Sequence, residues 1–248
     1  WAKENTYSND LLGWFPELVR STHYWSEPCC PADMLALAVM LTRAGAGDYL
    51  DDADRWVRNY FAEVQGGVTG PGCCAGNGAR AIYYVWKEIL HFDNEILKVN
   101  LFLNRASRWA DVDSYLPYEG KAKIRVKVDC RQVEIKVPEW IESGSPLLSC
   151  KINDQTRLPE WEGRYINLGP AKGGDVLTLT FPISERIVTG QKLGEVEYTL
   201  IIKGNTVVSM EPRGVQQYLP EFRREHYRES KARMVRRERF APDREILW

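Results

Sequence analysis

Up to Asp93, apolar side chains recur every three to four positions, the period of helices with one buried face. Met34, Leu35, Leu37, Ala38, Val39 and Leu41 make one such stretch, closed by Gly45 and Gly47. Ala53, Trp56, Val57, Tyr60, Phe61 and Val64 make a second, with Asp54, Arg55, Arg58 and Asn59 on the opposite face. A third comprises Ile82, Val85, Trp86, Ile89 and Leu90, and the cysteine pair of Gly72-Cys73-Cys74-Ala75-Gly76-Asn77 is expected in the loop leading into it. After Asn94 the period falls to two. Ile124, Val126 and Val128 alternate with Lys123, Arg125 and Lys127, and the pattern returns at Val133, Ile135 and Val137 and at Leu177, Leu179 and Phe181. Further strands are expected over 97–103, 165–168, 198–202 and 206–209. Turn residues separate them at Ser143-Gly144-Ser145, Gly169-Pro170, Gly173-Gly174 and Gly204-Asn205. The reading is an α+β, multidomain chain: a helical part over 1–93, an antiparallel β-sandwich over 94–215 and a charged, mostly helical tail over 216–248.

Composition adds exclusions. Of 248 residues 44% are hydrophobic and 27% charged, enough to bury a core. Lys and Arg number 33 against 34 Asp and Glu, so no global charge draws the chain to nucleic acid or an anionic membrane. Basic residues of the tail interleave with acids, which reads as a solvated helix with internal ion pairs rather than a nucleic-acid patch. No apolar run approaches the roughly 20 residues a membrane-spanning helix needs. The chain begins Trp1-Ala2-Lys3, neither a signal peptide nor a start methionine. Its N-terminus therefore reads as incomplete, and the localisation is left open with the cytoplasm favoured.

Six cysteines change the picture, because four come as the adjacent pairs Cys29-Cys30 and Cys73-Cys74. Neighbouring cysteines rarely bridge to each other, since disulfide geometry wants their Cα atoms further apart than one trans peptide allows. Cys130 and Cys150 sit singly in expected strands and read as packing residues. Glu27-Pro28-Cys29 together with Cys73-Cys74 supplies one carboxylate and three thiols, a donor set that suits tetrahedral Zn2+. Prolines after Glu27 and Cys30 would stiffen the first loop, and a helix N-terminus favours a thiolate. Ordinary buried cysteines are the competing reading.

Glu27-x-Cys29 followed by Cys73-Cys74-x-x-Asn77 resembles the signature of glycoside hydrolase family 127, the β-L-arabinofuranosidases and their relatives. The resemblance extends to Val99-Asn100-Leu101-Phe102-Leu103, Val137-Pro138-Glu139-Trp140, Ile166-Asn167-Leu168 and the Gly174-Asp175 turn. It implies an (α/α)6 barrel followed by β-sandwich domains. It also implies zinc held by Glu27, Cys29, Cys73 and Cys74, with Cys73 as the nucleophile of a retaining hydrolase acting on an arabinofuranoside-type glycan. Retention further requires a carboxylic acid to protonate the leaving oxygen. The family places a glutamate upstream of the Glu-x-Cys motif, where Asn9-Asp10-Leu11-Leu12-Gly13-Trp14 has none, so Glu17 is the nearest candidate.

Other roles stay open at this level. Asn77 hydrogen-bonds substrate or caps its helix, and His23 lines the site or is structural. Tyr24, Trp25, Tyr83 and Tyr84 offer faces for a sugar or belong to the core. A full barrel needs about twelve helices of average length, so the chain is expected to carry its C-terminal part alone. The alternative to an enzyme is a non-catalytic, carbohydrate-associated β-sandwich fragment with a structural zinc. A homodimer is compatible with either reading. Thiol-redox chemistry is disfavoured because no Cys-x-x-Cys accompanies a βαβ pattern.

Overall fold

The computed structural model describes residues 8–17, 26–63, 72–193, 196–213 and 224–234. They belong to two compact units, Trp1–Trp86 with Ser184–Glu229 and Lys87–Ile183 with Ser230–Trp248. Helices open the chain. In α1 (Cys29–Arg43), Leu35, Ala38 and Val39 of the expected stretch are buried, together with Ala32 and Ala36, whereas Met34 and Leu41 are half-buried and Leu37 is exposed. Gly45, in the left-handed region at φ 70°, ends it. Gly45 N–H donates to Thr42 and Ala46 N–H to Leu41, satisfying carbonyls the helix leaves open.

The second apolar stretch is α2 (Leu50–Trp56), which runs directly into a π-helical turn at Val57–Phe61. Val64 lies outside the described residues. The third stretch is α3 (Cys73–Glu88), and it differs from expectation at both ends. Cys73 and Cys74 open the helix rather than preceding it, and the helix stops before Leu90. Among the described residues there are three α-helices, and these do not form an (α/α)6 barrel. None of the described helices is long and apolar enough to cross a membrane.

The second unit is built from β1 (Leu90–Asp93), β2 (Ile96–Val99), β3 (Ala110–Ser114), β4 (Lys121–Val126), β5 (Gln132–Lys136), β6 (Ser149–Ile152), β7 (Gln155–Arg157), β8 (Glu160–Glu162), β9 (Tyr165–Asn167) and β10 (Val176–Thr180). They form two five-stranded sheets, ordered β1-β2-β5-β9-β8 and β3-β4-β10-β6-β7. All pairings are antiparallel except β2 with β5. Alternation does the sorting: Ala122, Ile124 and Val126 of β4, and Leu177 and Leu179 of β10, are buried while their neighbours are more open. Phe181 packs against Phe102 at 5.7 Å and edge-on to Trp140 at 5.6 Å. Strand β1 lies where the helical period over 82–90 predicts the end of a helix. It is half of a hairpin whose turn residues Asn94 and Glu95 adopt φ 49° and 60°, the left-handed pair a two-residue loop demands. Gly120 meets Phe181 closely: a Cβ there would lie 1.9 Å from the Phe181 carbonyl oxygen.

The remaining strands, β11 (Glu185–Leu193), β12 (Val196–Lys203) and β13 (Thr206–Glu211), form a third sheet ordered β11-β12-β13. It groups with α1 and α2 in the first unit, although the sequence pattern had placed these residues in the same sandwich as 94–183. A buried polar network explains the grouping. Asn59, fully buried in the π-turn, donates to Leu11 O at 2.7 Å and Asn205 O at 2.9 Å, and accepts from Val207 N–H at 2.8 Å. Asn205 donates to Asp54 at 3.0 Å. Arg224 is buried against Glu63, Arg58 O and Val207 O. Trp56 packs edge-on to Phe15 at 5.0 Å and donates to Asp10 O at 2.9 Å.

The tail also differs from a solvated helix where it is described. A short 3-10 helix, Glu225–Arg228, is held by the Arg228 side chain donating twice to Glu185 at 2.9 Å and by Lys203 Nζ donating to Glu229 O at 3.1 Å. The rest of 216–248, except 224–234, lies outside the described residues.

Two substitutions test these contacts by urea denaturation. Asn59→Ala leaves a buried amide and two carbonyls unpartnered and is expected to cost about 2–4 kcal/mol. Gly120→Ala forces a Cβ into the Phe181 carbonyl and is expected to cost at least about 2 kcal/mol.

Candidate metal centre

Both adjacent cysteine pairs begin a helix. Cys29 is the first residue of α1 and Cys73 the first of α3, so two helix N-termini meet at the same place. No acidic residue occupies the first turn of either helix, and Pro28 before α1 offers no side-chain cap. The partial positive charge of each N-terminus, about half an elementary charge, is therefore left for sulfur to meet. Gly72, at φ 120°, turns the chain into α3, a conformation an L side chain rarely adopts.

The ligand atoms of Glu27, Cys29, Cys73 and Cys74 lie within 4.8 Å of one another. Cys29 Sγ is 3.3 Å from Cys74 Sγ, and Cys74 Sγ is 3.8 Å from Glu27 Oε2. A disulfide would need about 2.05 Å, and all six cysteines are free. Around a tetrahedral zinc, with bonds of about 2.3 Å to sulfur and 2.0 Å to oxygen, neighbouring ligand atoms sit about 3.5–3.8 Å apart. The Cys74–Glu27 separation falls within a few tenths of an ångström of that and the Cys29–Cys74 one is about half an ångström shorter. Three soft sulfurs with one oxygen suit zinc better than magnesium or calcium. The donor set fits the metal.

Electrostatics without a cation point the same way. The Cys29 thiol is pushed up to about 12, first by burial and then by hydrogen bonding with Cys74 and Cys73. Cys30 lies outside the four-group cluster and is pushed up to about 11, by burial first and then by the Glu17 carboxylate. Burial also raises the Tyr60 phenol, and Cys30, Cys74 and Cys29 add to the shift, so its hydroxyl lies within electrostatic reach of three thiols. Holding Cys29 as a thiolate here is thus costly without a cation to offset it. Access is unequal: Cys73 is exposed, whereas Glu27, Cys29 and Cys74 are half-buried.

Asn77 sits in the second turn of α3, too far along to cap it, and donates to Asp33 of α1 at 3.2 Å. Arg80 joins the same carboxylate at 2.9 Å across exposed side chains, a contact of small energetic weight. Glu17 is exposed and is not one of the four converging groups. His23, Tyr24 and Trp25 lie outside the described residues. Tyr83 stacks on Trp86 at 5.8 Å. Asp33, Ser26 and Tyr60 carried no signal in the sequence, because none belongs to a metal-ligand spacing. Cys130 and Cys150 are buried in the strand-rich unit, as packing residues would be.

No protein-family profile and no curated protein matches the chain by sequence. Solved structures do match. A GH127 β-L-arabinofuranosidase from Geobacillus stearothermophilus T6 superposes with a TM-score of 0.52 at 16% identity, over 74% of this chain and 36% of that one. A second GH127 β-arabinofuranosidase gives 0.54 at 17% identity, over 72% and 36%, and a further glycoside hydrolase 0.50 at 14%, over 72% and 37%. The chain spans little more than a third of the length of these structures. At such identities the likeness is one of fold, and the fold is that of a portion of the GH127 β-L-arabinofuranosidases.

Proposed function

We propose that this chain is part of a retaining glycoside hydrolase in which Cys73 is the nucleophile and Glu27, Cys29, Cys73 and Cys74 hold zinc. The observation that carries the reading is the convergence of one carboxylate and three thiols at two helix N-termini, in a fold shared with β-L-arabinofuranosidases. The substrate is a terminal β-L-arabinofuranoside or a related sugar. The helical part of the first unit then corresponds to the C-terminal portion of an (α/α)6 barrel.

Zinc, when bound, keeps the ligating sulfurs deprotonated. Cys73 is the ligand with the greatest access to solvent, so its sulfur is the one a sugar reaches. Its Sγ attacks the anomeric carbon and forms a C–S bond as the glycosidic C–O bond breaks, and the leaving oxygen takes a proton from a carboxylic acid. Water then attacks the same carbon and gives its proton to that carboxylate, the C–S bond breaks, and two inversions leave the configuration retained. Glu17 is the candidate acid, its charge already bearing on Cys30 at the start of α1. The two helix N-termini favour the thiolate as it leaves. Asn77, and His23 with it, would contact sugar hydroxyls.

A second reading, a structural zinc that only joins α1 to α3, draws support from Glu17, which is exposed and outside the cluster. Two measurements separate these. Elemental analysis of the purified protein is expected to give about one zinc per chain, lost in Cys29→Ala and Cys74→Ala and kept in Cys30→Ser. A value near zero in a folded chain would remove the metal from both readings. On a chromogenic β-L-arabinofuranoside, Cys73→Ala is expected to lower the rate at least about a thousandfold. Wild-type protein that carries zinc yet shows no hydrolysis of any furanoside would leave the structural reading standing.

A further inference from the structure

We propose that Tyr60 and Ser26 are positioning residues for the Glu27 ligand, forming the hydrogen-bonding layer behind the four-group cluster. The proposal rests on the reading of that cluster as a metal site. Tyr60 is fully buried in the π-helical turn Val57–Phe61, and its hydroxyl donates to the backbone carbonyl of Ser26 at 3.4 Å. Ser26 immediately precedes Glu27, so the phenol fixes the backbone from which the carboxylate ligand projects. The same hydroxyl lies within electrostatic reach of Cys29, Cys30 and Cys74. π-turns in helices recur at functional sites, and this one brings Tyr60 to the cluster.

Ser26 supplies the second observation. Its side chain is fully buried, and among the described residues its Oγ has no hydrogen-bond partner. A hydroxyl kept in such a place without a partner works against folding. A carboxylate that gives one oxygen to a metal leaves the other in want of a donor, and groups that supply it orient the ligand. In the metal-loaded chain Ser26 Oγ, one residue away and without a partner in this structure, becomes that donor.

The test loads the full chain with cobalt(II), as a spectroscopic stand-in for zinc, and measures affinity by competition with a chromogenic chelator. Tyr60→Phe and Ser26→Ala each remove one hydroxyl and little else. Both are expected to weaken cobalt binding about 10–100-fold and to shift the cobalt absorption bands, and Ser26→Thr is expected to restore both. Ser26→Ala should leave the metal-free chain as stable as wild type or more so, since it removes an unpartnered buried group. A purely packing role predicts the reverse: lower stability with unaltered affinity. If Tyr60→Phe fails to fold, Ser26→Ala carries the test alone. Cobalt affinity within twofold of wild type in the folded variants overturns the proposal while leaving the metal site intact. A wild-type chain that binds no cobalt overturns the metal reading, and the proposal with it.

Discussion

Two helices cannot direct their positive ends at one point unless negative charge is held there. In this chain α1 and α3 do so, and the charge comes from sulfur and one carboxylate. Four ionised ligands around a divalent cation leave a net charge of about −2, and two helix ends contribute about +1 in return. With zinc bound as proposed, the three parts balance one another. Without a cation, burial first and then hydrogen bonding with Cys74 and Cys73 keep the proton on Cys29. On the proposed reading, the metal and the meeting of the helices are one requirement rather than two.

What keeps the geometry in place lies behind the ligands. The turn at Val57–Phe61 is locked by Asn59 to Leu11, Asn205 and Val207, and by Arg224 to the backbone of Arg58. Those partners come from the segment 8–17, the turn between β12 and β13 with the start of β13, and Arg224. Three distant stretches thus fix one turn, and the turn fixes Tyr60. This is a network in which nearly every buried polar group is satisfied, so it rigidifies where a half-satisfied one would weaken. The orphaned Ser26 hydroxyl stands out against it.

The parts of this that could be read from sequence share one property: they depend on residue type at short spacing. The alternation in β4 and β10 and the Gly45 helix end are of that kind, and so is the pairing of Glu27-x-Cys29 with Cys73-Cys74. Strand β1 was hidden because Ile89 and Leu90 continue the helical period, and only the left-handed pair Asn94 and Glu95 reveals the hairpin. Strand β11 was hidden because Glu185–Leu193 carries few apolar residues and is largely exposed. Neither failure concerns the site. Tyr60 does: at helical spacing it counts as one more core aromatic, and nothing in a 3.6-residue period announces the extra residue of a π-turn.

The low identity to the structures of like fold sharpens what the cluster means. At 14–17% identity the architecture is shared while the sequence is not, as cores that tolerate substitution at kept volume and pattern allow. A four-ligand site has no such latitude, because each donor must reach one point with the right atom. Here the four donors come from two segments over forty residues apart. They are delivered by helix ends whose fields favour the ionised form, and exposure is concentrated on Cys73 alone. A site meant only to staple two helices gains nothing from leaving one sulfur open to solvent. That asymmetry, half-buried ligands on one side and an accessible thiol on the other, is the feature on which the proposed reading of a reactive rather than a structural centre turns.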